Sequence, residues 1–131
     1  MAQLAGYNTQ LTSFNAMAGS AVSGTTTYPI LRAPFGGLTV KNAWVTALGS
    51  VAASGTDYVT FNLFDAGAAG TATSSIGTAG GTAGVASGPQ AMTISTNNLD
   101  SGDYLNFKVG KIGTITERDY SIIVEWVRGQ G

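Results

Sequence analysis

The segment that most constrains the fold is Asp119-Tyr120-Ser121-Ile122-Ile123-Val124-Glu125-Trp126-Val127, the densest run of β-branched and aromatic residues in the chain. In an extended strand successive side chains point to opposite faces, so Tyr120, Ile122, Val124 and Trp126 share one face and Ser121, Ile123, Glu125 and Val127 the other. The first face is wholly apolar or aromatic. The second holds one charge beside Ile123 and Val127, which suits a strand central to its sheet or lying beneath a neighbouring subunit. Left bare, the segment is an aggregation hazard with Glu125 as its only internal gatekeeper. The rest of the chain has to cover it.

Upstream, the same period of two recurs in short runs. Val59, Phe61 and Leu63 alternate with Tyr58, Thr60, Asn62 and Phe64, and Leu105, Phe107 and Val109 alternate with Tyr104, Asn106 and Lys108. After the Gly36-Gly37 turn signal, Leu38, Val40, Trp44, Thr46 and Leu48 alternate with Thr39, Lys41, Ala43, Val45 and Ala47, on a strand expected to bend near Asn42. Residues 25–32 read as a strand that Pro29 confines to an edge or to a strand's start. Residues 72–76 and 91–96 are further strands, and between them Gly77 to Gly84 reads as the centre of a flexible Gly-rich loop within a low-complexity stretch, 66–90. Residues 1–24 carry Leu4, Tyr7, Leu11, Phe14 and Met17 among polar filler; the spacing of Leu4, Tyr7, Leu11 and Phe14 suits one face of a helix, which Gly6, Gly19 and Gly24 weaken, and an extended arm is the expectation set beside it.

About seven or eight short strands with turn signals between them and no persuasive helix define an all-β chain, an antiparallel β-sandwich of jelly-roll type. The expected division is an arm, 1–24, and a single sandwich domain, 25–131. The expected inward set is Leu38, Val40, Trp44, Val59, Phe61, Leu63, Met92, Ile94, Leu105, Phe107, Val109, Ile122, Val124 and Trp126.

Composition then narrows function. The 131 residues include no cysteine and no histidine, which removes disulfides, thiol catalysis, the usual zinc and haem ligand sets and every His-based triad. A formal charge of −1 lacks the basic footprint that nucleic acid requires. The first charged side chain is Arg32 and none falls between Asp65 and Asp100, so long tracts of Gly, Ala, Ser and Thr are left either to loops or to contacts with other protein. No basic-then-apolar leader and no apolar run of membrane-spanning length is present, so the expectation is a soluble protein made in the cytoplasm with no membrane partner.

The apparent motifs dissolve on inspection. Gly77 to Gly84 lacks the Lys-Ser/Thr ending of a phosphate loop and the spacing of a dinucleotide fingerprint. Gly84-Val85-Ala86-Ser87-Gly88 sets its serine one place away from a nucleophile elbow, with no histidine to serve it. Asn97, Asn98, Asp100 and Asp103 gather oxygens that can hold calcium in principle, but short Asp/Asn turns form simply because these residues bond their own backbone. The carboxylates Asp57, Asp65, Asp100, Asp103, Glu117, Asp119 and Glu125 fall at strand ends or on an outer face, which does not predict a glycosidase pair. Tyr58, Phe64 and Tyr104 are aromatics able to stack on sugar rings or to pair across strands. The expectation is no enzyme, no catalytic or metal-binding residue and no cofactor.

Residues 57–127 resemble the jelly-roll decoration (cement) proteins and related head proteins of tailed bacteriophages. The resemblance rests on Tyr58-Val59-Thr60-Phe61-Asn62-Leu63-Phe64-Asp65-Ala66-Gly67 before a Gly/Ala/Thr tract, on Leu99-Asp100-Ser101-Gly102-Asp103-Tyr104-Leu105-Asn106-Phe107-Lys108-Val109, and on the closing Ile122-Ile123-Val124-Glu125-Trp126-Val127. It implies a non-enzymatic virion protein that binds the outside of an icosahedral head as a homotrimer, with itself and the major capsid protein as partners. On that reading the contacts fall on residues 1–24 and the 66–90 loop, and removing residues 1–20 weakens shell binding without disturbing the β-fold. A reading from a different class is a receptor- or carbohydrate-binding β-sandwich module of a phage fibre or tail.

Overall fold

The computed structural model describes residues 9–16, 24–47, 49, 54–81, 88–95, 97–113 and 119–129. These form ten strands and, among the described residues, no helix: β1 (Thr9–Ala16), β2 (Gly24–Arg32), β3 (Leu38–Ala47), β4 (Tyr58–Asp65), β5 (Ser74–Gly80), β6 (Gly88–Ala91), β7 (Thr93–Ile94), β8 (Asn98–Leu99), β9 (Tyr104–Ile112) and β10 (Tyr120–Arg128). A first sheet runs β1-β10-β3, with β6 and β8 sharing the far side of β3. The second runs β2-β9-β4-β5-β7.

Every pairing is antiparallel, and the pairs nest: β1 with β10, β2 with β9, β3 with β8, β4 with β5. Nested pairs placed alternately in two facing sheets make a jelly-roll-like sandwich. The final strand lies between β1 and β3, so both of its edges are paired, as its composition requires. Pro29, which lacks a backbone donor, sits on β2 at the edge of the second sheet.

The core lies where β4 and β9 of the second sheet face β10 and β3 of the first. Phe61 stacks on Phe107 with ring centroids 6.0 Å apart and meets the edge of Tyr120 at 4.9 Å, so one aromatic group joins both sheets. Eleven of the fourteen expected inward side chains are buried, and Ile94 and Trp126 pack partly buried against them. Trp44 does not join the core. Trp126 pairs with Val40 but Glu125 pairs with Asn42, leaving Lys41 as the extra residue of a β-bulge. The bulge reverses the alternation, so Ala43, Val45 and Ala47 turn inward and Trp44 outward. Small Ala47 then faces in beside the bulky Tyr120, its cross-strand partner.

Two further expectations are corrected. Gly77 to Gly80, expected as loop, belong to β5: Gly77 pairs with Leu63 on one side and Ile94 on the other. A Cβ at Gly77 would stand 2.9 Å from Ile94 Cδ1, so glycine here admits a close approach between strands. The 91–96 strand is divided at buried Met92, where the chain leaves β6 in the first sheet for β7 in the second.

Within the expected arm, Thr9–Ala16 is extended but hydrogen-bonded along β10 as the edge of the first sheet. Phe14 packs on Tyr28 at 5.1 Å, and the Trp126 Nε1–H donates to Thr12 Oγ1 at 3.0 Å. Removing residues 1–20 would therefore remove a strand. Residues 1–8, 17–23 and 82–87, Leu48, Thr96 and Glu117 lie outside the described residues.

Candidate functional site

Of the described carboxylates, Asp65, Asp100 and Asp103 lie close enough to act on one another, and the others stand apart. Asp57 is held in its own turn by Ser54 and Thr56, Glu125 accepts from Asn42 Nδ2 at 2.8 Å on the outer face of the first sheet, and Asp119 stands just before β10. The Asn97–Asp103 oxygens are turned to local use: Asp103 Oδ2 accepts from the Asp100 N–H, and Asn98 Oδ1 accepts from Thr39 Oγ1. Among the described residues no group of three or more acidic, His or Cys side chains is placed to hold a metal. Burial pushes the Asp65 carboxyl above the ordinary 3.8, and Asp103 and Asp100 push it the same way, against the Gly67 N–H that donates to it.

What distinguishes this molecule is its two outer faces. Cross-strand partners share a face, so the register of the first sheet sets Ser13, Ile123, Trp44 and Ala91 in one outward row, with Leu11, Glu125 and Asn42 forming the next row along. Ile123 is 37% exposed and Leu11 67% exposed, and Trp44 is half-buried. The bulge creates this patch, because without it Trp44 would face the core. A second exposed apolar group, Phe35 at 91%, stands on the β2–β3 turn, which is tied by Gly37 N–H to Pro34 O and by Ala33 N–H to Asp103 O. Sequence reading treated that turn as punctuation and missed it; an aromatic beside Pro34 and Gly36-Gly37 was the available signal.

The outer face of the second sheet is polar, with Thr27, Lys108, Asn62 and Thr78 in one row. At one end of it a row of Pro29, Asn106 and Phe64 lies against the turn that follows β4. That turn is folded back by hydrogen bonds from Ala66 N–H to Tyr104 O and from Tyr104 N–H to Gly67 O. Of the three aromatics expected to be able to stack on sugars, Phe64 is thereby buried at 7% exposure and Tyr58 and Tyr104 are half-buried. Tyr104 lines a hollow of about 520 Å³ with Thr27, Pro29, Ala69, Gly70 and Asn106. The Arg32 guanidinium lies 5.9 Å from the centre of its ring.

No protein-family model matches the sequence. No curated protein sequence matches it either. Among solved structures, the chain is similar to one from the cyanophage Pam1 capsid asymmetric unit, with a TM-score of 0.63 over 92% of this chain and 85% of that one, at 14% identity. At that identity the likeness is one of fold: an antiparallel sandwich of the kind found in that capsid. A chain from the structure of infectious bursal disease virus Gx strain gives a TM-score of 0.40 at 11% identity. It spans 94% of this chain but only 33% of its own length, and it carries no argument.

Proposed function

We propose that this chain is a structural protein of a virion, a decoration or cement protein that binds the outside of a tailed-phage head as a homotrimer and stabilises it. The observation that carries the reading is the outward row of Ile123, Trp44 and Ala91 with Leu11 beside it, an apolar strip bordered by Glu125, which accepts from Asn42, and by the exposed Lys41 at the bulge. Such a strip, rimmed by polar residues, has the composition of a protein contact. The fold shared with a chain of a cyanophage capsid supports the same reading.

The mechanism is mass action. A protein that binds the assembled shell and not its separated subunits stabilises the shell in proportion to its occupancy. A contact of ordinary size takes about 800 Å² from each partner, roughly a ninth of the 6870 Å² this chain exposes. The sandwich therefore has room for a neighbour in the trimer and for the shell at once. No reacting group is needed for that work.

Two measurements test the reading. Light scattering behind size-exclusion chromatography is expected to give the mass of a trimer, and the protein is expected to co-sediment with emptied heads of the phage that encodes it. A monomer at all concentrations that fails to co-sediment would overturn it.

A further inference from the structure

We propose that the hollow on the outer face of the second sheet is a binding site for a single pyranose ring. At about 520 Å³ it lies within the roughly 300–1,000 Å³ of small-ligand sites. Two independent features set the chemistry of what it takes.

The first is Asn106. The residue is only 5% exposed, it lines the hollow, and its Oδ1 is buried with no hydrogen-bond partner. The reason is its neighbours: on this face Asn106 stands between Pro29 on β2 and Phe64 on β4, neither of which has a side-chain donor. An acceptor that has left water and found nothing in the protein is a standing cost, which a donor carried by a ligand removes. The terminal torsion of asparagine is broad, so the carboxamide can turn its oxygen toward a hydroxyl entering the hollow.

The second is the apolar wall beside that acceptor. Tyr104 and Pro29 present rings, and Thr27 adds a hydroxyl at the rim. Tyr104 is pinned by backbone hydrogen bonds at both its N–H and its C=O, so its position does not have to be fixed on binding. Gly70, with φ +76°, takes the left-handed turn that favours glycine beside the Tyr104 ring. A pyranose has a C–H face for the rings and equatorial hydroxyls for Asn106 and Thr27.

This site does not depend on the capsid reading. It lies on the opposite face of the sandwich from the apolar strip, so a molecule docked through its first sheet leaves the hollow open to solution. The ring can come from a free sugar or from a glycan chain, and the experiment separates the two.

The ¹⁵N-labelled full chain is titrated with methyl α-D-glucopyranoside, methyl α-D-mannopyranoside, methyl β-D-galactopyranoside and N-acetyl-D-glucosamine. Dextran and mannan serve as glycan chains and glycerol as a hydroxyl control. The expected result is a saturable shift of the Asn106 side-chain amide and of the Thr27, Ala69, Gly70 and Tyr104 backbone signals, with a Kd in the millimolar range typical of one shallow subsite. Shifts with the methyl glycosides support a single-ring site open to free sugar; shifts with dextran or mannan alone support the same chemistry with a glycan chain as the source. Asn106→Leu is expected to weaken binding roughly tenfold with an unchanged circular dichroism spectrum. Tyr104→Ala is expected to do the same, and Tyr104→Phe to retain binding. No shift with any sugar, equal shifts with glycerol, or an Asn106→Leu protein that binds as tightly as the parent would overturn the proposal. Co-sedimentation with heads is read separately, so its success or failure is distinguishable from this one.

Discussion

The two outer faces of the sandwich are built from the same strand geometry and carry opposite chemistry. On the first sheet the outward row is Ser13, Ile123, Trp44 and Ala91; on the second it is Thr27, Lys108, Asn62 and Thr78. A threonine and lysine face is stable in water and needs no cover, whereas exposed Leu11 and Ile123 beside a half-buried Trp44 gain from burial against another surface. The difference shows that the molecule is polarised: one side is suited to dry contact, while the other remains wet and holds the hollow.

The largest expected effect tests whether the two faces share one support. Phe61 is fully buried and touches Phe107 of the second sheet and Tyr120 of the first. Phe61→Ala should cost about 3–5 kcal/mol in urea denaturation, and both faces should be lost in one transition. Separate transitions for the two sheets would mean that the faces rest on independent cores.

Next in size is a change confined to one face. Trp44→Ser with Ile123→Ser should lower affinity for phage heads by about tenfold or more, while stability shifts by only about 1 kcal/mol. The matched pair on the other sheet, Asn62→Ala with Thr78→Ala, should leave head binding unchanged. Equal losses from the two pairs would remove the distinction between the faces.

The first face was only partly legible in the sequence, and the reason is physical. The alternation of β10 could be read directly, and so could the edge position of Pro29, because each follows from residues next to one another. The outward turn of Trp44 could not, since a bulge at Lys41 is a property of two paired strands and its signature lies as much at Glu125 and Trp126. Gly77 to Gly80 looked like a loop because glycine carries no pattern, yet Gly77 is needed for the approach of Ile94. In the hollow, Tyr104 was recognisable as an available aromatic. The unpaired state of Asn106 was not, because it arises from Pro29 and Phe64, which only the folded sheet places beside it. Thr9–Ala16 was read as extended, but its mixed polar pattern could not show which strand it would join.

A smaller effect bears on how firmly that edge strand completes the apolar face. The Trp126 Nε1–H reaches Thr12 Oγ1 across from β10 to β1 at 3.0 Å. Thr12→Val keeps the shape and deletes the acceptor, and should cost about 1 kcal/mol. Hydrogen exchange should then rise along Thr9–Ala16 more than along β3, on the far side of β10. An equal rise in both would place the bond's influence in the sandwich as a whole.

The smallest effect lies at the wet face, where Asp65 ends β4 at the turn beside the hollow. Burial, followed by the charges of Asp103 and Asp100, raises its titration above the ordinary 3.8, although the Gly67 N–H at 2.8 Å opposes the shift. A raised value means that the folded chain holds this proton more tightly than the unfolded chain does. The resulting stabilisation is complete below the unfolded value and is lost as pH rises through the folded one. Asp65→Asn keeps an Oδ1 acceptor for Gly67 and removes the charge, so the urea midpoint of the variant should fall less than that of the parent as pH rises above the ordinary carboxylate value and through the raised one. The variant should also be slightly the more stable of the two at neutral pH. If it is instead less stable there, with the parent's slope retained, the Gly67 bond outweighs burial at this corner, and the end of the wet face is held by the charged carboxylate.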